Sequence, residues 1–336
     1  MEVFHCDVPS DKKLPDFDGP NESKAEAPEG LEACRQVIGA WAMGAEPLTY
    51  PEEAGAPIGG SDYSRYVMLE IHYNNPDHKQ GVIDSSGIKF YVTKNLRKYD
   101  AGTLEIGLEY TDKMALPPGL PIWNLIGYCV SECTKVSLPD DGIKVFASQL
   151  HTHLTGRKTY TRHYRNGIEL PNLNRDNHYS PHYQEIRRLQ KPVTVLPGDV
   201  LVHVCVDRTS NLENVTLGGF SISDEMCVNY MHYYPRTALE VCKSSVTTQS
   251  LYGFFKFMNV YNRQDTSPDI GISDNYKSID WSPLNVQLLQ TYYDTAPLSM
   301  QCNRSDGARF PGVEWEGMPV PTVELPRAPD ERPCLL

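Results

Sequence analysis

Apolar and polar positions alternate along this chain in short runs that stop at Gly, Pro and Asn. From Tyr66 to Tyr73 the alternation sets Val67, Leu69, Ile71 and Tyr73 on one face and Met68, Glu70 and His72 on the other, which predicts a strand with His72 free to point into a cleft. Further short strands are predicted over 87–93, 102–110, 123–130, 143–150, 158–165, 193–196 and 200–206, with Pro197-Gly198-Asp199 turning between the last two. Such spacing argues for antiparallel β-sandwich architecture. Residues 31–43 suit either a short helix or a strand. A charged stretch at 94–100 marks a domain boundary near residues 96–101. Past residue 250 the pattern changes, and 250–261 and 282–295 read as helices. Ser282-Pro283 supplies an N-cap and a first-turn proline ahead of Leu284, Leu288 and Leu289. The tail from Pro311 is proline-rich and reads as irregular. There is no βαβ rhythm, no Gly-rich phosphate loop and no G-x-S-x-G elbow.

Candidate chemistry gathers at the end of the predicted strand 143–150, in His151-Thr152-His153. Side chains alternate along a strand, so the two imidazoles point to the same side and can grip one metal ion. Imidazole alone suits zinc, copper, iron or nickel. A second dense stretch, 225–235, holds Met226, Cys227 and His232. A strand methionine is ordinarily core packing, but Met226 follows Asp224-Glu225, a polar context unusual for core. If His151, His153 and Met226 meet in space, the soft thioether selects cuprous copper, which implies redox copper rather than zinc.

Composition narrows the setting. The 336 residues are 40% hydrophobic, enough for about two domains with cores, and the net charge of −12 argues against nucleic acid or an anionic membrane as partner. No apolar run is long enough to predict a transmembrane helix. The nine cysteines are scattered without a CxxC pair, which suggests disulfides and an oxidising compartment. Sequons at Asn21, Asn214 and Asn303 agree. Residues 1–6 have no signal-peptide character, so the sequence leads one to expect a missing N-terminal segment, and an odd cysteine count leaves at least one without a partner in the chain.

HTHLTGRK at 151–158, LEIHYNNP at 69–76, DNHYSPHYQEIR at 176–187 and EMCVNYMHYYP at 225–235 resemble the copper type II, ascorbate-dependent monooxygenases. ISDEMCVNY at 222–230, LEVCKSSV at 239–246 and PLSMQCNRSDG at 297–307 are similar to the tyramine and dopamine β-hydroxylase branch, the invertebrate members above all. The resemblance implies two β-sandwich copper domains, here a partial first domain over 1–97 and a second over 98–260, then a helical region and Pro-rich tail over 261–336. It implies that His151, His153 and Met226 hold the copper at which oxygen reacts, with His151 counted as catalytic. His72 matches the strand ligand of the electron-supplying copper. That site's tandem His pair precedes Met1 in the family, so one copper is expected here rather than two, and very low turnover. His5 matches neither. The implied disulfides are Cys6–Cys34, Cys129–Cys242, Cys133–Cys302 and Cys205–Cys227, with Cys334 pairing outside the chain.

The implied reaction is hydroxylation of the benzylic carbon of a phenylethylamine by molecular oxygen, with ascorbate as reductant, in the secretory pathway or a vesicle lumen. Glu105 and Tyr230 are candidate substrate contacts, although an exposed strand carboxylate is the ordinary reading of Glu105. His78, His163, His178, His182, His203 and His232 are read as structural. Self-association through the C-terminal region is a further expectation. Two alternatives stay open: a non-catalytic copper-binding or interaction fragment, and a peptide-amidating monooxygenase.

Overall fold

The computed structural model describes residues 1–9, 11–19, 29–60, 63, 65–73, 75 and 77–327. Asn21 and Cys334 lie outside the described residues. The chain is mainly β. A seven-stranded sheet runs in the spatial order Arg187–Val195, Ile143–Thr152, Cys227–Tyr234, Gly102–Leu108, Leu239–Val246, Leu298–Arg304 and Glu316–Met318. All neighbours in it are antiparallel except Gly102–Leu108 with Leu239–Val246, which are parallel. A four-stranded sheet covers one face, in the order Ile168–Asp176, Gly156–Arg165, Val200–Asp207 and Trp123–Cys129.

Inward-facing residues of both sheets share one core, including Leu104, Ile106 and Met231 from the larger sheet and Cys129 and Leu201 from the smaller. The sheets touch most closely at two glycines. A Cβ on Gly127 would lie 2.1 Å from the Gly107 carbonyl carbon, and Gly107 itself has φ +134°, so neither position has room for a side chain. Cys129–Cys242 and Cys205–Cys227 link the sheets, and Cys133–Cys302 ties the helix Ser131–Ser137 to the larger one. With Cys6–Cys34, these are the four pairs that the resemblance implies. They close loops in the unfolded chain and so restrict it.

The helices Thr248–Asn262 and Pro283–Thr295 cover a second core, where Leu251, Phe255, Met258 and Leu289 meet Trp123, Leu125 and Leu116. Each starts on a side-chain cap: Thr247 Oγ1 accepts from the Ser250 N–H at 3.2 Å, and Ser282 Oγ from the Asn285 N–H at 3.4 Å. Among the described residues no helix is long and apolar enough to cross a membrane.

Residues 1–98 are organised differently. A three-stranded sheet pairs Cys34–Ala40, Glu2–Cys6 and Val67–Glu70, and the open question over 31–43 resolves as a 3-10 turn, Leu31–Ala33, followed by strand Cys34–Ala40. A small core of Ala54, Ala101, Phe146, Ala147, Ile186 and Tyr234 joins this region to the sandwich, and the Tyr234 hydroxyl donates to Glu53 at 2.7 Å. Two expectations fail here. The strand over 87–93 is absent, with Phe90, Tyr91 and Val92 exposed. The strand expected over 66–73 shrinks to Val67–Glu70, and its apolar face is open, Val67 being 43% and Leu69 40% exposed. The physical reason is pairing. Among the described residues strand 67–70 has a ladder on one edge only and 87–93 has none. An unpaired strand does not hold its conformation in water.

Three strands of seven or more residues escape prediction: Ile168–Asp176, Leu239–Val246 and Leu298–Arg304. Their alternation is hidden by polar residues, such as Lys243, that are buried with partners.

Candidate metal centre

Strand Ile143–Thr152 pairs antiparallel with Cys227–Tyr234, in a register that sets Thr152 opposite Cys227 and His151 opposite Val228. The ladder ends at that pair, and His153 and Met226 directly flank it, so the two segments bring them to the same end of the paired strands. The imidazole centroids are 5.4 Å apart and nearly perpendicular, at 88°. His153 and Met226 are each 7% exposed.

The hydrogen bonds decide which nitrogens are left for a metal. His151 Nδ1 lies 2.5 Å from Gln184 Oε1, and His153 Nδ1 lies 2.9 Å from the Asp224 carbonyl. The Gln184 amide is oriented by its own Nε2, which donates to the carbonyls of Thr152 and Pro181. Both imidazoles therefore face oxygens that can only accept, and each Nδ1 must carry the proton. Each Nε2 is then the ring nitrogen left to face a metal, the arrangement of histidines oriented for metal binding. Burial, and then the neighbouring His153, push the His151 imidazole down to about 4, so it is neutral and available as a ligand at neutral pH.

Glu225 ties the ligand-bearing segments together. Its carboxylate accepts from the His153 N–H at 2.5 Å, the Met226 N–H at 2.9 Å, the Thr155 N–H at 2.9 Å and the Thr155 hydroxyl at 2.5 Å. The Thr155 oxygen also lies 2.8 Å from Asp207 Oδ1. One hydroxyl proton cannot serve two carboxylates. Burial, and then the Glu225 charge, raise the Asp207 carboxyl far above the usual range, so it stays protonated and donates to Thr155, which donates to Glu225. From the other side the Thr152 N–H donates to the Tyr179 hydroxyl at 2.9 Å.

The remaining site residues fall around this centre or away from it. The Tyr230 ring stands 6.0 Å from the His151 ring. Glu105 lies opposite Tyr230 on the next strand. It is not an exposed strand acid: its Oε1 is 2.8 Å from Lys243 Nζ, and both side chains are largely buried. Lys243 also sits 3.9 Å from the Tyr110 ring centroid, a cation–π contact that adds to the ion pair.

His72 stands elsewhere, two residues past strand Val67–Glu70 of the three-stranded sheet. Its side chain is 65% exposed and its Nε2 is 2.6 Å from Glu70 Oε1, with Glu2 completing a group whose ligand atoms lie within 4.8 Å of one another. His163 is buried on Asp199 at 2.6 Å, His203 lies between the hydroxyls of Thr159 and Thr161, and His232 is buried. His5 is buried near Tyr63, while His78, His178 and His182 are exposed. Asn214 is exposed, whereas Asn303 is half-buried in a strand with its Oδ1 unpartnered.

Sequence reasoning missed Gln184, Asp207 and Thr155, and saw Glu225 only as an odd polar neighbour of Met226. The signal was there for Glu225: an acid abutting a strand methionine needs a reason. Asp207 gave none, because it sits at the end of an ordinary apolar run.

Two nitrogens and a thioether suit cuprous copper, a soft and electron-rich ion. The family model for the N-terminal domain of the copper type II ascorbate-dependent monooxygenases matches residues 1–80, and the model for the C-terminal domain matches 99–255. The chain belongs to this family. It is 50% identical to human dopamine beta-hydroxylase over 325 residues, 96% of this chain and 52% of that protein. It is 44% identical to tyramine beta-hydroxylase of Caenorhabditis briggsae over 330 residues, 96% of this chain and 55% of that protein. To human DBH-like monooxygenase protein 1 the identity is 32%, over 91% of this chain and 52% of that protein. The chain thus spans about half the length of the curated relatives that it matches.

Proposed function

We propose that this chain carries the oxygen-reacting copper centre of a phenylethylamine β-hydroxylase. The observation that carries the reading is the pair of imidazoles, each anchored through Nδ1 with Nε2 left open, at the end of the strand that pairs with the strand following Met226. His151, His153 and Met226 would hold the metal. When bound there, copper supplies one-electron chemistry with dioxygen, and the thioether favours the reduced state.

The reaction balances as follows. One oxygen atom of O2 enters the benzylic C–H bond and the other leaves as water. Two electrons come one at a time from two ascorbates, with two protons from solvent. The protein's part is positional. Gln184 and Asp224 fix the two rings. Glu225 fixes the peptides on either side of the site. Tyr230 supplies a ring beside His151 for the substrate's apolar body. Glu105 is already neutralised by Lys243, so a substrate ammonium reaching it would have to share that partner.

His72 is our assignment for one ligand of the second, electron-supplying copper. The four disulfides fit an oxidising compartment, and we assign the chain to the secretory pathway. Self-association we assign to the C-terminal region over 261–336, where Tyr261 and Leu284 are exposed.

The test is copper per chain and product formation on the purified 336-residue protein, with tyramine, dopamine and a glycine-extended peptide as substrates. One tight copper, slow ascorbate-dependent hydroxylation of the amines, and loss of both in Met226→Ala support the reading. Activity on the peptide alone moves the assignment to an amidating enzyme. Tight copper without any product leaves a copper-binding fragment, the outcome favoured by the exposure of His72.

A further inference from the structure

Asp207 makes no hydrogen bond to a candidate ligand among the described residues, yet it stands where the smaller sheet meets the ligand-bearing segments. It ends strand Val200–Asp207, opposite Gly156 on one edge and Trp123 on the other, so its backbone is fixed from both sides. Its side chain is fully buried. Oδ1 lies 2.8 Å from the Thr155 hydroxyl, which lies 2.5 Å from Glu225 Oε2, and among the described residues Oδ2 has no partner. The following peptide adds a backbone tie: the Arg208 N–H donates to the Thr155 carbonyl at 3.0 Å.

The donors show which acid carries the charge. Glu225 accepts from three peptide N–H groups and from the Thr155 hydroxyl, the setting of an anion. Asp207 meets one hydroxyl, the setting of a neutral acid. An Asp207 O–H occupies the Thr155 oxygen and leaves the Thr155 proton one acceptor, Glu225. Glu225 in turn accepts from the N–H groups of His153 and Met226, so the orientation passes from the smaller sheet to both ligand-bearing peptides. The disulfide Cys205–Cys227 joins the same two strands two residues back from Asp207 and two residues on from Glu225. It holds the strands together, and the acid chain extends that tie past the end of the ladder, where strand pairing no longer fixes His153 or Met226.

We propose that Asp207 is a positioning residue, which fixes the peptides of His153 and Met226 through Thr155 and Glu225. Its bearing on copper rests on the reading of His151, His153 and Met226 as ligands. It adds that the geometry of that site is set in part by the sheet that carries no ligand.

The experiment compares the full chain with Asp207→Leu, Asp207→Asn, Thr155→Val and, as a packing control in the same strand, Val204→Ala. One measurement is hydrogen exchange at the His153, Thr155 and Met226 amides of the metal-free protein, taken relative to the Leu201 and Val202 amides, which report the sandwich as a whole. The other is cuprous affinity by chelator competition. Asp207→Leu and Thr155→Val should speed exchange at the three amides about tenfold, the worth of a hydrogen bond to a charged group. Both should weaken copper by about tenfold, the lower end for loss of a supporting group. Asparagine still donates an N–H to Thr155, so Asp207→Asn should stay within about threefold on both measurements. Val204→Ala should lower the urea midpoint and leave both unchanged. Should Asp207→Leu not fold, Thr155→Val, which keeps the side-chain volume and the peptide N–H, decides alone. Unchanged exchange in Thr155→Val overturns the proposal. So does an Asp207→Asn chain that loses as much as Asp207→Leu, or a Val204→Ala chain that loosens the same three amides. An unsubstituted chain that binds no copper but shows the expected exchange pattern keeps the positioning role and removes the metal reading, whereas copper held equally by every variant with unchanged exchange does the reverse.

Discussion

His151 and His72 both stand at or just past the end of a strand, yet their surroundings are opposite. His151 belongs to a strand paired on both edges, in a sheet covered by a second sheet, and its Nδ1 is held by Gln184. His72 follows a strand paired on one edge among the described residues, beside an open apolar face, and its imidazole meets the Glu70 carboxylate. A histidine becomes a well-defined ligand when its ring has no freedom left, and freedom is removed by the layers behind it. Residues 99–327 have those layers. Residues 1–98 show Val67, Leu69, Phe90, Tyr91 and Val92 to solvent.

The strongest way to break this comparison is to delete core from each region. Met231 is fully buried between the sheets, whereas Leu69 is 40% exposed. Met231→Ala should cost about 2–5 kcal/mol, and Leu69→Ala about 0.5 kcal/mol or less. Urea unfolding of the two variants checks this. Equal losses would mean that the first region is packed as tightly as the second.

Acid should act on the sandwich before it acts on any ion pair. His203 and His232 are buried, and burial pushes their imidazoles down to about 3 and about 4. The unfolded chain takes up these protons near pH 6.5, while the folded chain does not until far lower. Stability from the two is therefore present above pH 6.5 and falls as pH drops from there toward 4. Each contributes about 2 kcal/mol of loss over roughly the first 1.5 pH units. Urea midpoints of the metal-free chain between pH 7.5 and 5 measure the slope. A flat profile would show that both histidines gain protons in place.

Glu225→Gln tests the buttress rather than the ligands. The amide keeps the volume but loses the charge that four donors share, and it brings N–H groups toward peptide N–H groups. Loss of such a supporting group lowers metal affinity by about 10–100-fold. Competition with a cuprous chelator reads it, and sulfur coordination in the X-ray absorption spectrum shows whether Met226 still reaches the metal. Unchanged affinity would reduce Glu225 to a folding residue.

Much of the second region was legible because its strands obey one rule. Alternation marked 102–110, 123–130, 143–150 and 200–206, and Ser282-Pro283 marked a helix start. The H-x-H spacing marked two candidate ligands directly. The third candidate, Met226, stood out by its polar context, but its meeting with the histidines depended on the resemblance, because local pattern does not encode how distant segments come together. Gln184 and Asp207 were illegible for the same reason: each acts across more than 30 residues of chain, on a group that only the fold brings near. In the first region the pattern was present but misleading. Residues 87–93 alternate as a strand should, and what they lack is a neighbour to pair with, which no alternation can reveal.

The smallest expected effect is at His72. If only a layered site fixes its ligands, His72→Ala should leave the tight copper of the 336-residue chain in place, with affinity within about twofold, whereas His153→Ala should lose about 100-fold. The reasoning is conformational. An imidazole that is mostly exposed must be ordered before it can bind, and side-chain ordering subtracts from the affinity gained. Its carboxylate neighbours Glu70 and Glu2 are hard oxygen donors that compete poorly for cuprous ion. Chelator competition on both variants gives the two numbers. A tenfold or larger loss in His72→Ala would show that the open sheet orders its histidine without a second layer, and the contrast between the two regions would then be one of burial alone.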